Sequence, residues 1–78
     1  MMDAELSAIQ EEAVYIVSRI THMTPCVEVY RAYQGGFIVT FCITDLVTRA
    51  MLVPCENSVY DAAIIVACEW LMSHPPVP

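Results

Sequence analysis

The fold is decided by CVEVYRAYQGGFIVTFCITDLVTRAMLV, residues 26–53, an apolar run broken by turn residues at Gln34-Gly35-Gly36 and at Thr44-Asp45. Between Cys26 and Tyr33, alternation places Val27, Val29, Arg31 and Tyr33 on one face and Cys26, Glu28, Tyr30 and Ala32 on the other. In the next segment Phe37, Val39, Phe41 and Ile43 share a face far more apolar than Ile38, Thr40, Cys42 and Thr44. Short turns between such runs predict a three-stranded antiparallel meander.

The first turn sets the register, because a slip of one residue exchanges the two faces of a strand. A two-residue Gly35-Gly36 turn would carry Glu28 onto the Phe37-Val39-Phe41-Ile43 face and bury a carboxylate. A three-residue Gln34-Gly35-Gly36 loop pairs Tyr33 with Phe37 and sets Val27 and Val29 beside Phe41 and Ile43, which is the preferred reading. The third strand, Leu46 to Val53, is apolar on both faces. If Arg49 points outward, Val47, Met51 and Val53 follow it, and Leu46, Ala50 and Leu52 join the core. Pro54 ends the strand and suits a sheet edge.

Working outward, a first helix is expected from a cap at Asp3 to about His22 or Met23, with Leu6, Ile9, Ala13, Ile16, Val17 and Ile20 on one stripe. Pro25 stops it, since the residue before a proline avoids the helical region. A second helix is expected to start at Ser58, paired with Asp61 in a variant capping box, with Asn57 as the alternative cap, and to continue through about Ser73. Tyr60, Ala63, Ile64, Ala67 and Leu71 form its expected core stripe, leaving Ile65, Val66, Trp70 and Met72 for other surfaces. The fold class is therefore α+β: a single small α-β-β-β-α domain over residues 1–73, both helices on one sheet face, followed by a flexible Pro-rich tail over residues 74–78.

Composition bounds the function. Of 78 residues 58% are hydrophobic and 15% charged, against roughly 45–50% and 25% in ordinary globular chains, so apolar side chains remain for the surface. Nine acidic residues against three arginines and no lysine give a net charge of -6, which disfavours direct contact with nucleic acid or anionic lipid. No run reaches the roughly 18 apolar residues of a membrane span, and no basic-then-apolar leader opens the chain, so a cytoplasmic location is expected.

Cys26, Cys42, Cys55 and Cys68 stand far apart in sequence, without the short spacings of structural zinc sites, and are read as thiols of a reducing compartment. Cys26 and Cys42 lie diagonally on one sheet face in the preferred register, so a bridge between them is conceivable under oxidation. No metal or other cofactor is expected. His22 and His74 each close a helix, and nothing sets a nucleophile beside either, so the chain is expected not to be an enzyme.

In element order the chain resembles the double-stranded-RNA-binding domain over most of its length. Where such domains place lysines at the start of the last helix, this sequence has Asn57-Ser58-Val59-Tyr60-Asp61, which argues against RNA binding. In size, charge and architecture, though in no shared motif, the chain also resembles small phage-encoded anti-CRISPR proteins. That resemblance implies an inhibitor that covers the nucleic-acid-binding surface of a nuclease or surveillance complex.

The expected function is a small acidic, non-enzymatic protein-binding module whose partner presents a basic surface. The alternative is a homodimer formed through the open sheet face or the C-terminal helix. Expected partner-binding residues are Glu28, Tyr30, Ile38, Arg49 and Met51 on the open sheet face, with Asp61, Ile65, Glu69 and Trp70 on the second helix.

Overall fold

The computed structural model describes residues 3–44 and 48–75. The elements run α1 (Ala4–Thr21), β1 (Cys26–Arg31), β2 (Phe37–Cys42), β3 (Arg49–Val53) and α2 (Glu56–Ser73). This is the α-β-β-β-α order, with the strands antiparallel in the order β1-β2-β3. The expected turn at Thr44-Asp45, together with Leu46 and Val47, falls largely outside the described residues, as does the tail beyond Pro75.

Asp3 caps α1 as its chemistry dictates: Oδ1 accepts from the Glu5 and Leu6 N–H groups, supplying partners that the first turn lacks. Oδ2 of Asp3 also accepts from Arg31 Nε at 3.0 Å, tying the start of α1 to the end of β1, and this guanidinium holds the Asp3 carboxyl below its ordinary range. Both ends of that link are substantially exposed, so solvent screens it and it orients the helix start more than it stabilises the fold.

At its other end α1 closes on His22, which adopts the left-handed conformation at φ 59° and donates its N–H to the Ser18 carbonyl. That conformation favours glycine over any residue with a Cβ. His22→Gly is expected to stabilise the fold by about 0.5–1 kcal/mol, seen as a rise of a few degrees in the melting temperature.

The core lies between the sheet and the two helices. Ile9, Ala13 and Val17 of α1, Val27 and Val29 of β1, Phe37, Val39 and Phe41 of β2, and Val59, Ala62, Ala63, Val66 and Ala67 of α2 are buried together. The α1 stripe is as the spacing predicts, and so is the division of faces in β1 and β2. Several expectations give way.

The β1–β2 register differs by two residues from the expected one. Val27 pairs with Phe41 and Val29 with Val39, leaving Ala32 to Gly36 as the connection. Gly35 donates to the Ala32 carbonyl and Ala32 to the Gly36 carbonyl, so two backbone bonds close a longer loop than a tight glycine turn would. An even slip keeps every side chain on its expected face.

In β3 the faces are reversed. Arg49, Met51 and Val53 pair with Phe41, Val39 and Phe37 on the helix side, while Ala50 and Leu52 pair with Thr40 and Ile38 on the open side. Arg49 takes the helix side because it stands at the start of an edge strand, where its guanidinium reaches Glu69 of α2. A partnered charge at a sheet edge does not have to point away from the core.

The second helix begins three residues earlier than a Ser58 cap implies and two earlier than an Asn57 cap, with Cys55 at the cap position. Its buried stripe is Val59, Ala62, Ala63, Val66 and Ala67, with Tyr60 half-buried, while Ile64 is exposed. The small side chains on this stripe let α1 and α2 approach closely, which rotates the larger Ile64 and Ile65 to the outside. His74 is fixed rather than loose: its N–H donates to the Trp70 carbonyl at 2.8 Å and its ring stacks on the indole, centroids 4.5 Å apart.

Candidate functional site

The uncovered side of the sheet is built in rows across the strands. Tyr30, Ile38 and Leu52 form one row, Glu28, Thr40 and Ala50 the next, and Cys26 and Cys42 stand opposite each other beyond them. Alternation along each strand puts these side chains away from the helices by the same geometry that buries Val29, Val39 and Phe41. Open faces of antiparallel sheets are ordinarily polar. Here Tyr30, Ile38 and Leu52 are 54%, 42% and 67% exposed, and Tyr33 on the adjoining loop is wholly exposed.

Ala32, Tyr33, Gln34, Ile38 and Leu52 line a shallow depression at the hairpin end of this face. On its flank Tyr30 donates to Glu28 Oε2 at 3.0 Å, and this bond to the carboxylate pushes the phenol above its ordinary range. A groove between α1 and β1, lined by Asp3, Gln10, Glu28 and Tyr30 among others, borders the same edge and carries two carboxylates. An apolar centre with an aromatic anchor and an acidic rim is the anatomy of a recognition surface.

Of the residues expected on this surface, Glu28, Tyr30 and Ile38 are brought together. Arg49 and Met51 are not: Arg49 is bound to Glu69, and Met51 packs against the core. Asp61 and Ile65 are exposed on the outer side of α2, with Ile64, Cys68 and Met72. Trp70 is half-buried against the core and under His74. The nine residues thus occupy the open sheet face, the β3–α2 edge, the outer side of α2 and the helix C-terminal end. Leu52, Ala50 and Tyr33 are the members of the open face that the sequence reading missed. Matching Arg49 with Glu69 as an ion pair would have placed Leu52 outward.

Cys55 stands apart at the cap of α2. Its Sγ lies 3.2 Å from Ser58 Oγ, and the Ser58 hydroxyl, helped by the N–H groups of the first turn, holds the thiol below its ordinary range. Cys55 is expected to be alkylated by iodoacetamide at neutral pH faster than Cys68, which is also exposed, and Ser58→Ala to slow it, both readable by peptide mass spectrometry. One turn on, Tyr60 donates to Glu56 Oε1 at 2.6 Å, and its phenol is pushed up to about 12. A folded-state value above that of the unfolded chain gives stabilisation that is complete below pH ~10 and lost as pH rises through the folded value. Stability should therefore fall between pH ~10 and ~12 more steeply in the parent chain than in Tyr60→Phe, followed by circular dichroism.

Among the described residues no cluster of three or more His, Cys, Asp or Glu side chains is placed to hold a metal ion. No described helix is long and apolar enough to cross a membrane. No family model matches the chain, and the searches of curated proteins and of solved structures return no match.

Proposed function

We propose that this chain is a small acidic protein-binding module that docks the open face of its sheet on a partner with a basic surface. The observation that carries the reading is the row Tyr30-Ile38-Leu52, large apolar side chains left open to solvent at the hairpin end of the uncovered sheet face. Charge supplies the chemistry of the partner. Two of the three arginines, Arg31 and Arg49, are bound to carboxylates of the chain itself, whereas Glu11, Glu12, Glu28, Glu56 and Asp61 have no ion pair among the described residues. The outward field is negative, which steers the face toward lysine- and arginine-rich surfaces.

Such surfaces are most extensive on proteins that hold nucleic acid, so the module acts by covering one and excluding its nucleic acid. It is read as an inhibitor of a nucleic-acid-processing complex, in the manner of the anti-CRISPR proteins that it resembles in size and charge, and without catalysis of its own.

The test uses immobilised chain against purified CRISPR nucleases and surveillance complexes, with duplex DNA as competitor. Expected are a complex displaced by DNA, its loss in Leu52→Glu, and its survival in Ile65→Glu on the outer side of α2. Binding unaffected by Leu52→Glu, or no DNA-sensitive complex at all, overturns the reading. A concentration-dependent dimer in light scattering that Leu52→Glu dissolves would assign the face to a second copy instead.

A further inference from the structure

We propose that Cys26 and Cys42 form a two-thiolate site for a soft monovalent d10 cation of the Cu(I) type. The two cysteines are direct partners across β1 and β2, on the open side of the sheet, at the end away from the Tyr30-Ile38-Leu52 row. They line one depression together with Met23, Thr24, Ile43 and Thr44. Three sulfur-bearing residues therefore line one depression, although 26 and 42 are far apart in the chain and no sequence motif joins them.

The geometry of the pair selects the ligand. Ala32 donates its N–H to the Gly36 carbonyl in the same register, so pairs at even spacing from it are the hydrogen-bonded kind, and Cys26–Cys42 is one of these. Cα atoms in such pairs lie about 5.5 Å apart and Cβ atoms at the wide end of the cross-strand range, about 5.5 Å. A disulfide brings Cβ atoms to about 3.5–4.5 Å, closer than the side chains of such a pair stand. Two metal–sulfur bonds of about 2.3 Å in line separate the sulfurs by about 4.5 Å, which fits side chains rising side by side from neighbouring strands.

The donor set points the same way. Zinc takes four ligands in a closed tetrahedron, which two thiols do not provide, whereas thiolate and thioether donors select Cu(I). Met23 supplies a thioether at the rim of the depression. Cys26 is solvent-exposed and Cys42 half-buried, so a cation enters without opening the core.

Cys42 Sγ donates its hydrogen to the Thr44 carbonyl, 2.6 Å away, and this proton is one of those given up. Binding breaks two S–H bonds, forms two Cu–S bonds, releases two protons to solvent and transfers no electron. Affinity consequently rises with pH.

The experiment is anaerobic titration of the full chain with Cu(I) held by the chromophoric chelator bicinchoninate. Expected is transfer of one copper per chain, lost in Cys26→Ser and in Cys42→Ser and kept in the Cys55→Ser/Cys68→Ser double variant, with circular dichroism showing each variant folded. Native mass spectrometry reads the same stoichiometry independently. Uptake that survives Cys26→Ser, uptake lost equally in the Cys55/Cys68 variant, or conversion of the pair to a disulfide with no copper bound overturns the proposal. Leu52→Glu, which tests the partner surface, should leave copper uptake unchanged, so the two readings fail separately.

Discussion

Phe41→Ala should destabilise the fold by about 3–5 kcal/mol. Phe41 is the largest side chain in the chain with no exposed surface, and it sits in the middle strand between Val27 and Arg49. Truncating a buried phenylalanine costs about 3–5 kcal/mol in lost transfer free energy and residual cavity. A domain of 78 residues is stable by only about 4–12 kcal/mol. Urea denaturation followed by far-ultraviolet circular dichroism is the measurement, with Tyr33→Ala as the companion. Tyr33 is wholly exposed on the hairpin loop, so its loss should change stability by no more than about 0.5 kcal/mol. Equal effects of the two substitutions would contradict the packing described above.

Gly36→Ala should be nearly as damaging, for a different reason. Gly36 has φ 77°, and a Cβ built there would overlap the Val53 carbonyl oxygen and crowd the Pro54 Cα. The left-handed conformation alone costs a residue with a Cβ about 1–2 kcal/mol. The overlap adds to this, because the obstacle is backbone at the end of β3 rather than a side chain that can turn aside. Gly35 is the control: its φ is 104°, but nothing lies within 4 Å of its would-be Cβ. Gly35→Ala should therefore lose only the conformational part, and thermal melts of the two variants should separate clearly. Equal melting temperatures would mean that the hairpin does not rest on the end of β3.

The strand and helix order was legible because three kinds of signal agreed: an alternating run, glycines at one turn, and amphipathic spacing before it. The faces of β1 and β2 were legible because Glu28 and Thr40 alternate with valines and phenylalanines. Where no polar residue marks a face, pattern has nothing to act on. Leu46 to Val53 offers only Arg49 and Thr48 as polar marks, and Arg49 pointed the wrong way, since its partner Glu69 lies twenty residues further on.

The second helix posed the same difficulty, being apolar nearly all round. Size rather than hydrophobicity chose its buried stripe, and close approach to α1 favoured alanines over Ile64. The open face followed suit: Tyr30 and Ile38 were placed by alternation, and Leu52 was missed with the reversal of β3. The Cys26–Cys42 pairing depended on a two-residue shift in register that the glycine pair did not determine.

Helix α1 packs more extensively on α2 than on any strand, and Ile9, Ala13 and Val17 share one buried cluster with Val59, Ala62, Ala63, Val66 and Ala67 of α2. On the ribosome α1 must therefore wait for α2. At about 5–20 residues per second, α1 and the meander spend seconds with their apolar faces open before Val59 to Ala67 emerge. The domain then forms once α2 has emerged, and a chain halted before α2 is an aggregating fragment rather than a smaller working unit.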